Sequence, residues 1–138
     1  RYFTVYGPRQ RPDMAFHRFI KAGFCHQPIT LYGDGEQSRD FTFITDALEA
    51  NLLAAVHGEP GQVFNVGGGS VISVNHVIEL LRRHFPDLQV TYLERQAGDA
   101  RHTSADISRA KSLLGYAPKV AIEEGLEREI EWLRSVAA

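Results

Sequence analysis

Short runs of β-branched and aromatic residues alternate with helically spaced apolar residues along the chain, and almost every change is marked by Gly or Pro. Alternation of this kind dictates an α/β chain, with an α+β-like packing of helices on a small mixed sheet. Residues 1–6 read as a strand running into a loop at Gly7-Pro8, and Phe16, Phe19, Ile20 and Phe24 recur at helical spacing, with Gly23 and Pro28 as bounds. Ile29–Tyr32 is expected as a strand, Gly33-Asp34-Gly35 as a turn and residues 41–44 as another strand, with Arg39 in the loop between. Thr45 or Asp46 is expected to cap a helix lined by Leu48, Leu52, Leu53 and Val56, and residues 63–66 to form a buried strand closed by Gly67-Gly68-Gly69. Ser73 opens a helix whose inner face is Val77, Ile78, Leu81 and Phe85, and Val90–Leu93 is a strand. Asp106 or Ser104 caps a short helix that Gly115 and Pro118 end, and a last amphipathic helix turns Ile122, Leu126, Ile130 and Leu133 inward.

With 138 residues, 43% of them hydrophobic, the chain can bury a core of its own. Fifteen Lys and Arg against seventeen Asp and Glu leave a formal charge of −2, which excludes a global pull towards nucleic acid or an anionic membrane, so any anion site must be local. The single cysteine, Cys25, excludes an intramolecular disulfide and a thiolate metal site and fits a reducing compartment; its apolar neighbours predict a buried, inert thiol. Apolar runs such as Ala54-Ala55-Val56 are too short to span a bilayer, so the expected location is cytoplasmic. Because Arg1 comes first and Met14 is the only methionine, a fragment of a longer polypeptide is expected.

Complete catalytic motifs are absent. Gly33-Asp34-Gly35-Glu36-Gln37-Ser38 opens like a dinucleotide-binding turn but lacks the third glycine and precedes a strand, and Gly67-Gly68-Gly69-Ser70 reads as a tight turn. The six histidines are scattered without metal-ligand spacing, and no Tyr is followed four positions later by Lys, so neither a catalytic residue nor a metal ligand is assigned. What remains is a set of loop arginines, Arg9, Arg11, Arg39, Arg95 and Arg101, able to grip phosphate oxygens, with Asp99 able to accept from sugar hydroxyls. Spacing alone favours a solvated surface role for each of these, and for Tyr32 an ordinary half-buried strand position is simpler than stacking on a base.

Five segments occur in one order: residues 1–10 (RYFTVYGPRQ), 32–41 (YGDGEQSRDF), 64–69 (FNVGGG), 98–107 (GDARHTSADI) and 114–118 (LGYAP). Through them nearly the whole chain resembles the carboxy-terminal region of the extended short-chain dehydrogenase/reductases, specifically the nucleotide-sugar epimerases and dehydratases. In that family an amino-terminal Rossmann half binds NAD and supplies a Tyr-x-x-x-Lys pair, and the carboxy-terminal half binds the nucleoside diphosphate sugar. The resemblance implies that residues 1–12 correspond to the last strand and loop of the NAD-binding domain and residues 13–138 to the substrate domain. NAD is then a cofactor of the full-length parent and is not expected to bind this chain alone. Carried over by position, Tyr2 lies near the nicotinamide and Thr4, where the family often has Asn, faces the diphosphate. Thr30 and Tyr32 line the base pocket, Arg39 binds the diphosphate, and Asp99 holds the ribose or neighbouring groups. Gln96 stands where the family's second phosphate arginine often falls, one residue from Arg95, so either Arg95 makes that contact by a loop shift or the second contact is weaker. Thr103 occupies the place of a tyrosine that crowds the sugar in some UDP-galactose epimerases, implying room for a 2-N-acetyl group.

The parent implied is a UDP-hexose 4-epimerase, in which a tyrosinate takes the sugar 4-hydroxyl proton as hydride leaves for the nicotinamide; dehydration and decarboxylation stay open as branches. Implied partners are a UDP-hexose, the Rossmann half and a second copy through the apolar face that half would cover. The chain by itself is expected to be catalytically incomplete. The other reading is a natural stand-alone nucleotide-sugar-binding or protein-interaction module.

Overall fold

The computed structural model describes residues 1–95, 98 and 100–136. Among these described residues the elements run β1 (Val5–Tyr6), α1 (Ala15–Phe24), β2 (Ile29–Tyr32), β3 (Ser38–Asp40), β4 (Thr42–Phe43), α2 (Ile44–His57), β5 (Val71–Ser73), α3 (Val74–Arg82), β6 (Val90–Leu93), α4 (Ser108–Leu114) and α5 (Ile122–Val136). The strands pair in both senses, as an α/β chain with a mixed sheet requires, but as three two-stranded ladders: β1 parallel to β4, β2 parallel to β6 and β3 antiparallel to β5.

Helix periodicity decides the larger core. Val77, Ile78 and Leu81 of α3 and Ile122, Leu126, Ile130 and Leu133 of α5 are buried as their spacing predicts, and they meet Phe16, Phe19 and Ile20 of α1. Tyr6, Phe16, Phe41 and Phe43 knit the strands into this core through edge and tilted contacts, with the Phe16 and Phe41 rings 4.6 Å apart. A second cluster, Ala50, Val66, Ile107, Ala110, Leu114 and Tyr116, joins α2 to α4. Ser73 caps α3 by accepting the His76 N–H at 3.2 Å, and Gly115 ends α4 at φ 70°, a left-handed conformation a β-carbon would disfavour.

Several expectations are corrected. Residues 1–4 are extended but enter no ladder; instead Val66 bridges Tyr2, donating to the Arg1 carbonyl and accepting from Phe3 N–H, both at 2.9 Å. Residues 63–66 form only that bridge, and Val63 is exposed, because its extended chain has one neighbour instead of two. Arg39 is not in a loop: it occupies the middle of β3, opposite Ile72 of β5. Helix α2 begins at Ile44 without a side-chain cap, and Asp46 turns inward to accept the Val120 N–H at 3.2 Å. Asp106 precedes the α4 boundary and accepts the Ser108 N–H at 3.0 Å, which gives the first turn a capping contact from one residue earlier than the N-cap, Ile107. Gly23 lies within α1, packed on the Phe85 ring, and Cys25 is exposed just beyond the helix end. Leu48, Leu52 and Val56 form a stripe on α2 that faces outward, Leu52 being 70% exposed, while Ala47 and Ala50 face in. No helix among the described residues is long and apolar enough to cross a membrane.

Candidate nucleotide-binding site

Alternation along β2 buries Ile29 and Leu31 and turns Thr30 and Tyr32 to the outer face, Tyr32 remaining 40% exposed. Parallel pairing sets Thr91 and Leu93 of β6 beside them, and the chain leaves β6 directly towards Arg95. The turn after β2 is fixed at both ends, Gly33 N–H donating to Leu93 O at 2.9 Å and Gln37 Nε2 to Tyr32 O at 3.0 Å. Tyr32, Gly33, Asp34, Gln37, Arg95, Ala100 and Arg101 line a cavity of about 110 Å³. Arg101 closes one side through an ion pair with Asp34 at 2.9 Å. The Asp34 carboxyl is held below its usual range, first by the Glu36 N–H it accepts and then by the Arg101 charge.

Arg39 joins this group through the backbone. Ser38 N–H donates to Arg101 O at 2.8 Å, Thr103 N–H to Ser38 O at 3.1 Å and Asp40 N–H to Thr103 O at 3.1 Å, so residues 101–103 lie alongside β3. The Arg39 guanidinium donates to Ser38 O at 2.9 Å and to Arg101 O at 3.4 Å. On the opposite face of β3 the Ser38 hydroxyl meets His102 Nδ1 at 2.7 Å, and the Asp40 carboxylate accepts Gly68 N–H at 2.5 Å and Ala105 N–H at 3.3 Å. Burial raises the Asp40 carboxyl against the lowering effect of those donors.

Of the residues assigned from sequence, Thr30, Tyr32, Arg39, Arg95 and Thr103 fall on these adjoining segments. Tyr2 and Thr4 lie apart from these segments: the Tyr2 hydroxyl bonds Asn51 Oδ1 of α2, and Thr4 O accepts Thr42 N–H at 2.9 Å, which ties residues 1–4 to the β3–β4 run. Asp99 and Gln96 lie outside the described residues. Among the described residues no cluster of three His, Cys, Asp or Glu side chains could hold a metal. The glycine run 67–69 does not fit a dinucleotide pyrophosphate, because its Gly68 N–H is already bonded to Asp40 and Tyr116 OH bonds Gly67 O at 2.8 Å.

Sequence reasoning missed two carboxylates. Asp40 shares the inward parity of Ser38 and Thr42 in the run Ser38-Arg39-Asp40-Phe41-Thr42, and an acid at an inward position must find donors; that parity was its signal. Glu129, 0% exposed on α5, was hidden by its helix's charged stripe: its Oε2 accepts Gly7 N–H at 2.9 Å while Oε1 has no hydrogen-bond partner among the described residues. Burial pushes the Glu129 carboxyl up to about 8. Gly7 opens the loop of residues 7–11, which with Met14 and Ile44 lines a mostly apolar cavity of about 420 Å³.

Residues 1–67 match the family described as NAD dependent epimerase/dehydratase. A protein of Bacillus subtilis (strain 168) described as an uncharacterized UDP-glucose epimerase, YtcB, is 45% identical over 147 residues, covering 99% of this chain and 44% of that protein. A UDP-glucuronate 4-epimerase of Thermodesulfobacterium geofontis (strain OPF15) is 45% identical over 134 residues, covering 96% of this chain and 41% of its own length. The crystal structure of a Bacillus cereus UDP-glucuronic acid 4-epimerase in complex with UDP-glucuronic acid and NAD superposes with a TM-score of 0.93 at 42% identity, covering 99% of this chain and 44% of that one. The chain thus spans less than half the length of the curated relatives it matches.

Proposed function

The chain belongs to the NAD dependent epimerase/dehydratase family, and on that premise we propose that it is the nucleotide-sugar-binding part of a UDP-hexose 4-epimerase. The observation that carries this reading is the convergence of Tyr32, Arg95 and Arg101 on one cavity, with Arg39 bonded to the same 101–103 segment. An exposed ring beside fixed guanidinium groups suits a base and a diphosphate. Here Tyr32 and Thr30 would hold the base, Arg39 and Arg95 the diphosphate, Asp99 the ribose, and Thr4 and Thr103 the diphosphate and sugar side.

Binding at this site would act at a distance from the reacting carbon. Nucleotide contacts fix the sugar relative to groups supplied by the rest of the enzyme, which lowers the entropic part of the barrier without this chain carrying the proton or the hydride. NAD would supply hydride transfer, held by the portion of the relatives that this chain does not cover, with Tyr2 reaching it from the edge of residues 1–12. That portion would pack against Tyr2, Val63 and the Leu48, Leu52 and Val56 stripe, all of which are exposed. Cytoplasmic residence belongs to the same proposal.

Calorimetric titration tests it. UDP, UDP-glucose and UDP-glucuronate are expected to bind the purified chain, NAD to give no heat, and no 4-epimer to form when NAD and UDP-glucose are mixed with it. Absence of UDP binding sinks the nucleotide-sugar assignment, and turnover by the pure chain sinks the catalytic one. UDP-N-acetylglucosamine is expected to bind alongside UDP-glucose because Thr103 is small; its exclusion removes the role given to Thr103.

A further inference from the structure

Asp40 is 1% exposed, and two separate segments meet on it. Its Oδ1 accepts Gly68 N–H at 2.5 Å, its Oδ2 accepts Ala105 N–H at 3.3 Å, and Gly69 N–H is also turned to the carboxylate. The glycine turn is shaped around this group: a β-carbon on Gly67 would lie 2.6 Å from Oδ2, and one on Gly68 would collide with the Phe41 carbonyl. The glycine turn therefore encloses the protein's own anion. Asp40 N–H bonds Thr103 O in addition, so backbone and side chain of one residue both grip the 103–105 segment. Arg39 stands next to it in the chain and reaches Arg101 O, hence the seating of residues 101–105 sets where the guanidinium lies.

We propose that Asp40 is a positioning residue for the nucleotide-sugar site, its buried carboxylate clamping the glycine turn and the 103–105 segment onto β3 so that Arg39 and Thr103 are presented together. This rests on the nucleotide-sugar assignment. A clamp whose closed form is the binding-competent one must be reciprocal: nucleotide binding tightens it, and loosening it weakens binding by the same coupling.

Residue-resolved amide exchange and UDP-glucose calorimetry on the 138-residue chain test both directions. In the wild-type chain, Gly68 and Ala105 amides are expected to be protected and to exchange more slowly still when UDP-glucose is saturating. Asp40→Asn turns one acceptor into a donor facing backbone N–H groups; it is expected to speed exchange at Gly68, Thr103 and Ala105 while α3 and α5 stay protected, and to raise the Kd for UDP-glucose on the order of tenfold. Asp106→Asn, altering an exposed carboxylate on a single backbone donor, is expected to leave the Kd unchanged. The proposal is overturned if Gly68 and Ala105 in the wild-type chain exchange as freely as exposed loop amides, if saturating UDP-glucose leaves them unaltered, or if Asp40→Asn binds with the wild-type Kd. Should Asp40→Asn fail to fold, the two wild-type measurements still decide. A wild-type chain that gives no heat with UDP-glucose refutes the nucleotide assignment instead, and the unliganded exchange then scores the clamp separately.

Discussion

Arg39 and Glu129 are both charged-type side chains on regular elements, yet their surroundings give them opposite tasks. Arg39 is half-buried with its head on two carbonyl oxygens, which orient the guanidinium. Replacing Arg39 by Ala is expected to weaken UDP-glucose binding by about 10- to 100-fold, as loss of a charge-assisted hydrogen bond does, and Arg39→Lys to restore only part of it because the fork geometry is gone; calorimetry reads both. Glu129 is fully buried and holds its proton in the folded state up to about pH 8, whereas the unfolded carboxyl ionises near its ordinary 4.5. The folded chain thus binds the extra proton between those values, so this residue's contribution to stability is complete below the lower one and is lost as pH rises through the upper one. Glu129→Gln retains an acceptor for Gly7 N–H and cannot ionise. Thermal melts from about pH 5 to about pH 9 should show the wild-type Tm falling and the variant's trend flattened; parallel profiles would mean that Glu129 is not the titrating group.

At the scale of elements, α5 approaches β1 only because Gly125 leaves room for a ring. A β-carbon there would strike the Tyr6 hydroxyl, and Tyr6 is itself packed against Phe16 and Phe43. Gly125→Ala is expected to cost about 1–3 kcal/mol by overpacking, read as a lower midpoint in urea with an unchanged slope. Elements of this kind were the most legible from sequence where one face is buried: α1, α3 and α5 announce their inner faces by spacing, and β2 by strict alternation. Legibility failed where an element answers to something other than this chain's own core. Leu48, Leu52 and Val56 have a core-like pattern but point outward, and residues 63–66 look like a buried strand yet have one strand neighbour. Pairing over distance hid β5 and the true place of Arg39, since the β3–β5 ladder has no local turn signal. For the candidate site, motif order pointed to Tyr32, Arg39 and Arg95 and inward parity carried a signal for Asp40, whereas Glu129 became visible only with the donor that faces it.

For the whole molecule, the outward stripe on α2, with Tyr2 bonded to Asn51 of the same helix, is an apolar surface of the sort that monomers seldom leave open. The purified chain is expected to self-associate reversibly as its concentration rises, and the pair Leu48→Glu with Leu52→Glu to shift sedimentation towards monomer while UDP-glucose binding persists; a monodisperse wild-type monomer throughout would contradict this. The three ladders carry a consequence of another sort. Each joins segments tens of residues apart, Val5 to Thr42, Ile29 to Val90 and Ser38 to Ser73, and none is a hairpin. Ordering such pairs requires large loops to close before any ladder bond rewards them. Refolding after dilution from denaturant should therefore run on the millisecond-to-second scale of high-contact-order chains, although five helices make the chain look like a fast folder. A newly made polypeptide of this topology would also keep its ladders open until residues near 90 have emerged, leaving β2 exposed for much of its synthesis.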